Sequence, residues 1–381
     1  MKKTILFAVT LDLQLQFLDG IPQELVQRGW EVHIVSSSGP RGDSLARVPG
    51  VQVHVIEMRR EPSLLADMVA ASAWTRVIRV VRPSIVVIGT PKASLVGLAV
   101  SALYRVPRRI YILHGLRLET ARGWRKTVLS FLERLTITLS TRVFAVGSSL
   151  RDLTLKLGLV SPSKIMVIAA GTPNGIDTAE FDSDRFTQTT LDLTASQIGL
   201  RANQPVVGFV GRLTRDKGLA DLERAMVLLR NSGIALQLLL VGKVDDKSGD
   251  IALERLRAIG INVVSTGHVE RPAIYYQLMD VFCLPSLREG FSTVALEASS
   301  SGVPVVVSTA TGAIDAVRAG QTGLVFQVGD SIQLAQQIEA ILEDKLVARE
   351  MGDRGRRWVR DTFGRHAIQT AFIEEYESLV R

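Results

Sequence analysis

PVVGFVGRLTRDKG, residues 205–218, reads as a buried strand that runs into a loop and then a helix. Its first six residues form a near-continuous apolar run, the mark of a strand covered on both faces and hence of a parallel sheet flanked by helices. The loop beyond the strand is polar and basic. Arg212 and Lys217 stand between Gly211 and Gly218, and a helix is expected from about Asp216. Ligands of open parallel sheets bind outside the carboxyl ends of the strands, so a loop of this kind is where a site would sit.

The same design recurs in both directions. Downstream it appears in LQLLLVG (236–242), INVVST (261–266), VFCLPS (281–286), PVVVST (304–309) and TGLVF (322–326), with helices expected near Gly249, Arg271, Phe291, Gly312 and Ser331. Upstream the strands are TILFAVT (4–10), VHIVSS (32–37), VQVHVI (51–56), SIVVIG (84–89), RIYILH (109–114), RVFAVG (142–147) and KIMVIA (164–169). Helical patterns over 20–28, 63–81, 93–104, 124–139 and 149–158 lie between them, the first closed by Gly29. Two βαβα series predict an α/β protein of two doubly wound domains facing one another across a cleft. A chain of 381 residues also exceeds one ordinary core. The expected division is 1–190, 191–364 and a final helix, 365–381, returning to the N-terminal domain. The seam is placed in the polar, Thr-rich stretch 180–204, and the final break at Phe363-Gly364.

The chain has 46% hydrophobic residues and a formal charge of +7, which excludes a disordered chain and points to an anionic partner. The charge is uneven. Residues 1–185 carry 24 Lys and Arg against 15 Asp and Glu, whereas residues 186–381 carry 21 against 23. The N-terminal half is therefore the one expected to face anionic lipid or a polyphosphate, unless its cations only form a solvated basic face. The lone Cys283 excludes an intramolecular disulfide and reads as a small buried hydrophobe. The longest apolar stretch, 93–104, falls short of the roughly 20 residues of a spanning helix. MKKTILFAVTLD imitates a signal peptide, but its run is short, meets Asp12 and has no small-residue cleavage site. A cytoplasmic chain, soluble or peripheral on the inner face of the membrane, is expected. The four tryptophans are scattered and offer no stacking platform for nucleic acid.

A second motif comes after VFCLPS: EGFSTVALE, from Glu289 to Glu297. Gly290, Phe291, Ser292 and Thr293 fall at a strand-to-helix turn, where backbone N–H groups and the helix dipole favour an anion. Carboxylates accept paired bonds from vicinal hydroxyls, so Glu289 and Glu297 could hold sugar rings on either side of a phosphate. Arg212 offers a planar fork and Lys217 a point charge, a combination suited to a diphosphate. Each motif also has a plainer reading, as unrelated glutamates on a solvated helix and as surface cations.

Together GRLTRDKG, GHV (267–269), DVFCLPS (280–286) and EGFSTVALE resemble the retaining glycosyltransferases of family 4, which have the GT-B fold of two Rossmann-like domains. MRRE (58–61), GTPKASLVG (89–97), ILHGLRLET (112–120), FLERL (131–135) and GTPNGID (171–177) are similar to a branch acting on lipid-linked sugars in bacterial capsule, O-antigen and exopolysaccharide assembly. The resemblance implies that Arg212 and Lys217 bind the donor diphosphate, with the backbone at Gly290, Phe291, Ser292 and Thr293. Glu289 would hold the transferred sugar and Glu297 the ribose. His268 and Val269 would lie beside the base, His114 near the transferred sugar, and Gly20 near the phosphates. Many family members carry a Gly-Gly pair after the first strand. Here only Gly20 stands in that loop, and Asp19 beside it is a candidate for the acceptor. Arg59, Arg60, Lys92 and Arg117 are candidates for an acceptor diphosphate.

The implied donor is a UDP-sugar, carrying an N-acetylhexosamine or a hexose, and the implied acceptor a polyprenyl-diphosphate sugar. A soluble acceptor, or a UDP-sugar 2-epimerase of the same fold, is the alternative. Preorganised cations and a helix tip stabilise a departing diphosphate, so no metal or other cofactor is expected. Asp182-Ser183-Asp184 has metal-binding spacing but lies in the polar seam. A nicotinamide dehydrogenase is disfavoured because no G-x-G-x-x-G follows the first strand. His33 and His54 fall inside strands and read as structural, whereas only His114 and His268 follow strands on the ligand side. The apolar residues Trp124, Val128, Leu129, Phe131 and Leu132 have helical spacing, for which a core face is the default reading and a membrane face the other.

Overall fold

The computed structural model describes residues 3–58 and 64–380. The chain divides into two units. The first contains residues up to 174 and those from 366 onward, and the second is 175–365.

The first unit holds seven parallel strands: β1 (Thr4–Ala8), β2 (Glu31–Ser36), β3 (Val51–Val55), β4 (Ile85–Ile88), β5 (Arg108–Leu113), β6 (Arg142–Ala145) and β7 (Ile165–Val167). Their order is β3-β2-β1-β4-β5-β6-β7. The Val/Ile runs legible in the sequence become strands, buried on both faces at the centre of the sheet and partly exposed at its edge in β3. All five residues of β1 and all four of β4 are buried. The order reverses between β1 and β4, which makes their carboxyl ends the switch point where a crevice opens. Thr10 and Thr90 seal the fork there. Their hydroxyls lie 2.8 Å apart, and Thr10 N–H donates to Thr90 Oγ1 at 2.9 Å.

The second unit repeats the plan with β8 (Val206–Val210), β9 (Gln237–Val241), β10 (Asn262–Ser265), β11 (Val281–Leu284), β12 (Val305–Ser308) and β13 (Gly323–Phe326). The order β10-β9-β8-β11-β12-β13 puts its switch point between β8 and β11. Cys283 is fully buried in β11, and burial pushes its thiol up to about 12, as befits a packing residue.

Three details differ from the sequence reading. Segment 175–190, expected in the N-terminal domain, belongs to the second unit. The Thr-rich stretch is also not a bare linker. It carries a helix, Gln188–Ile198, started by Thr187, whose side chain accepts from Thr190 N–H, and stopped by Gly199 at φ 87°. Threonines that suggested a loop are acting as helix punctuation. Only a short 3-10 turn, Ile314–Ala316, stands where a helix was expected near Gly312.

Helix Lys345–Phe363 ends at Gly364, whose ψ of 132° breaks the ladder before helix Arg365–Ser378. That last helix packs on the first unit. Tyr376 meets Phe7 edge-on at 5.8 Å, and Phe372 lies 6.4 Å from Phe144. Where the chain enters and leaves the second unit, Ile176 and Gly364 pair side by side. Ile176 N–H donates to Phe363 O at 2.8 Å and Arg365 N–H to Ile176 O at 2.9 Å.

Candidate active site

At the switch point of the second unit the loops after β8 and β11 are fastened together. Gly218 adopts φ +68°, and a Cβ there would lie 1.7 Å from Pro285 O, so only glycine admits this approach. The approach brings Lys217 to Glu289. Lys217 Nζ donates to Glu289 Oε1 at 2.5 Å, and Ser286 Oγ donates to the same oxygen at 2.6 Å. Both charged side chains are largely buried, at 17% and 13% exposure. A second pair, Arg288 to Asp216 at 2.5 Å, joins the same loops. A nearly buried pair of this kind is held by geometry, because each ion alone would be costly there.

Arg212 is placed differently. It is well exposed and donates to Asp245 Oδ2 at 2.5 Å, while Lys243 Nζ lies 3.2 Å from Asp245 Oδ1. Hydrogen bonds from Arg212 and then Lys243 hold the Asp245 carboxyl below the usual carboxylate range. Lys243 and Asp245 went unnoticed in the sequence, although they follow strand β9 at its carboxyl end, the position that singled out Arg212. His268 is exposed and Val269 half-buried. The isolated bridge between Gly242 and Gly267 places this segment beside the exit of β9.

Ser292 begins helix Thr293–Ser300, its hydroxyl accepting from Ala295 N–H at 3.3 Å. Its own N–H donates to Gly312 O at 3.0 Å, and Thr293 N–H donates to Phe291 O at 3.2 Å. Those two amides are committed to shaping the turn. Gly290 and Phe291 precede them in the same turn, and Phe291 is buried against Phe363. Glu297, half-buried, accepts from the buried Tyr276 hydroxyl at 2.7 Å. Burial pushes the Glu297 carboxyl up to about 7. Tyr276 opposes the rise, Glu180 adds to it and Arg365 opposes it. Asp182 accepts from Asp184 N–H at 3.1 Å and caps a 3-10 turn. Among the described residues no cluster of three or more His, Cys, Asp or Glu side chains is disposed to hold a metal ion.

In the first unit, His114 follows β5 and stacks on Phe17 at 4.8 Å. Burial lowers its imidazole to about 4, so the ring is neutral at pH 7. It is the polar wall of a cavity of about 40 Å³ otherwise lined mainly by Phe7, Phe17, Ile112, Phe372 and Tyr376. A Cβ on Gly89 would lie 2.5 Å from His114 Nε2, so the glycine after β4 makes room for the ring. Gly20 adopts φ +88° before helix Ile21–Gln27, and a Cβ there would meet the Gln369 amide at 2.8 Å. Asp19 O accepts from Gln369 Nε2 and from Asn174 Nδ2, and its carboxylate lies 3.6 Å from Arg41. Lys92, after β4, lies 2.7 Å from Asp67. Arg117 is exposed on the turn Arg117–Glu119 after β5. Asp19, Lys92, His114 and Arg117 thus all follow strands at the carboxyl edge of the first sheet. Arg59 and Arg60 lie outside the described residues. His33 and His54 stack on each other, 3.0 Å between ring nitrogens, as structural groups of β2 and β3.

Residues 18–171 match the glycosyl transferase 4-like domain, and residues 193–358 match the glycosyl transferases group 1 family. The capsular polysaccharide biosynthesis glycosyltransferase CapM of Staphylococcus aureus is 32% identical over 376 residues, covering 98% of this chain and 96% of that protein. An Escherichia coli galactosyltransferase, described as acting from UDP-Gal on GlcNAc-diphosphoundecaprenol, is 26% identical over 76% of this chain and 74% of its own. Among solved structures, Anabaena Alr3699/HepE in complex with UDP and glucose superposes with a TM-score of 0.80 at 21% identity, over 99% of this chain and 100% of its own. The two parallel sheets have the GT-B architecture of two Rossmann-like domains. With the likeness to CapM running the length of the chain, this protein belongs to the glycosyltransferases of the group 1, family 4 type.

Proposed function

We propose that this chain transfers a sugar from a UDP-sugar, carrying an N-acetylhexosamine or a hexose, to a polyprenyl-diphosphate-linked sugar in cell-surface polysaccharide assembly. The observation that carries the reading is the Lys217–Glu289 pair at the β8/β11 switch point. It sets an ammonium for a diphosphate beside a carboxylate for sugar hydroxyls. The capsule relative, and the relative that acts on a diphosphoundecaprenol sugar, favour a lipid-linked acceptor and a place at the inner face of the membrane. The acceptor is received by the first unit, where Asp19, Lys92 and Arg117 follow strands, with Arg59 and Arg60 as further cations.

The transfer proceeds with retention and without a metal. The bond from the anomeric carbon to the diphosphate breaks as a bond to the acceptor oxygen forms on the same face, and the departing phosphate oxygen takes the acceptor proton. Lys217, Arg212 and the turn before helix Thr293–Ser300 stabilise the charge that develops on the leaving group. Glu289, already bound to Lys217 and Ser286, orients the sugar and makes no covalent bond to it. Trapping a glycosyl-enzyme on any carboxylate would refute this course.

The test is a thermal-shift panel of UDP, GDP and their sugars, since a ligand stabilises the folded state by mass action. UDP and its sugars are expected to raise the midpoint and GDP to leave it. Lys217→Ala and Arg212→Ala are expected to weaken UDP and to slow turnover by about 10²–10³ for Lys217. Unchanged UDP binding in both variants would remove their assigned role.

A further inference from the structure

Helix Trp124–Leu139 in the first unit has a packed inner face and an apolar outer one. The inner one carries Thr136 and Ile137, both buried, together with Glu133, whose carboxyl is hydrogen-bonded to Tyr111 in β5. The outer one carries Trp124, Val128, Phe131 and Leu135, spaced as successive turns of one stripe and 72%, 45%, 64% and 37% exposed. The core reading of these residues therefore fails for Trp124, Val128 and Phe131, while Leu129 and Leu132 are half-buried. Cations border the stripe. Arg122, Arg125 and Lys126 are all exposed, and the Arg125 guanidinium lies 5.8 Å from the Trp124 ring.

A second exposed apolar group stands at the start of helix Leu64–Val81: Leu65, Met68 and Val69 at 75%, 61% and 71%. This helix joins β3 to β4, and helix Trp124–Leu139 joins β5 to β6. Both connections cross the sheet in the same direction, so right-handed crossovers place both helices on one face. Both also begin at the carboxyl edge, where β3 and β5 end, with helix Pro91–Leu103 packed between them.

We propose that this side of the first unit docks on an anionic lipid surface through the start of helix Leu64–Val81 and the outer stripe of helix Trp124–Leu139. Charge selects that occupant. Residues 59–142 hold 15 Lys and Arg against 4 Asp and Glu, and of those four Glu133 is turned inward and Asp67 is paired with Lys92. An apolar stripe with bordering cations suits the boundary between headgroups and acyl chains, where apolar burial and attraction to anionic headgroups add. Among the described residues no helix is long and apolar enough to cross a membrane, so the contact is one that lies on the surface. The inference rests on the lipid-linked acceptor proposed for this chain for its purpose. It is measured without donor or acceptor, so either can fail alone.

The experiment is co-sedimentation of the full chain with phosphatidylglycerol/phosphatidylcholine vesicles and with phosphatidylcholine alone, at low and high salt. Trp30 and Trp74 are buried and Trp358 is half-buried against Phe363 in the second unit, so the 72% exposed Trp124 supplies most of the changing fluorescence, read as a blue shift and as quenching by brominated lipid that Trp124→Ser/Phe131→Ser removes. Binding to the anionic vesicles alone, weakened by salt, is expected. Arg122→Glu/Arg125→Glu/Lys126→Glu should lower partitioning by roughly fivefold or more per cation. Trp124→Ser/Phe131→Ser should lower it about tenfold, and Leu65→Ser/Val69→Ser should lower it too. UDP-induced thermal shifts should stay unchanged in all three. Absence of wild-type binding, or binding that ignores the Trp124/Phe131 and cation variants, would overturn the proposal. So would a wild-type dimer, by light scattering, that Trp124→Ser/Phe131→Ser converts to monomer, since the stripe would then hold a second copy.

Discussion

Lys217 and Glu289 lie 72 residues apart and meet only because two parallel strands deliver their loops to one fork. Each stood out in a separate motif of the sequence. Their mutual contact, and the Ser286 hydroxyl on the same carboxylate oxygen, did not, because a side-chain pair depends on how two loops pack. The same holds for Arg212, whose partner Asp245 lies on a third loop. His114 offers a test at this scale. Its folded form resists protonation down to about pH 4, while an unfolded histidine protonates near 6.5. Between those values the unfolded state binds the extra proton, so this group's contribution is full above about pH 6.5 and is lost as pH falls toward 4. Glu133 and Glu297, pushed up to about 7, slope the other way, so the informative quantity is a difference between proteins. Urea unfolding of wild type and His114→Gln at pH 7.5 and 5 should show the wild type losing about 2 kcal/mol more on acidification. Equal losses would mean the ring is not shielded.

Among elements, strands were the most readable, because continuous Val/Ile runs have few other uses in a globular chain. Helix Gln188–Ile198 was hidden in plain composition, since its polar, Thr-rich surface resembles a linker and none of its residues is buried. Helix Trp124–Leu139 showed a period but not a direction. Spacing identifies the stripe, and only the packed sheet tells which stripe is outward. The turn at 289–293 shows how a local signal can be divided. Ser292 looked like a phosphate contact, yet its hydroxyl caps the helix and its N–H is given to Gly312 O. Ser292→Ala should therefore lower stability by about 1 kcal/mol in chemical unfolding, the usual cost of a lost cap. A UDP affinity that falls while stability holds would instead assign the hydroxyl to the donor.

For the whole molecule, the two-domain α/β plan was visible from the doubled series of strands and the return from the break at Phe363-Gly364, whereas the first crossing between units was not. The chain changes units at 174/175, inside a stretch with no composition shift, and returns at 365/366. The returning helix buries Ile368, Phe372, Ile373 and Tyr376. Ending the chain after Gly364 should uncover Phe7 and Phe144 and leave the first unit aggregation-prone, seen as loss of soluble monomer on size-exclusion chromatography. A soluble, cooperatively melting truncation would show that the helix is dispensable.

The adjacency of Ile176 and Gly364 has a bearing on how the protein is made. A ribosome delivers the strands of one sheet, then a complete second sheet, and only afterwards the helix that finishes the first. The later-born half can reach its native state while the earlier-born half still waits, its aromatic face uncovered through the synthesis of nearly two hundred further residues. Nascent chains of this transferase therefore have a long window of vulnerability that closes only once the helix beginning at Arg365 has been made, and the middle segment, whose two ends are already joined, is the part best suited to fold when made by itself.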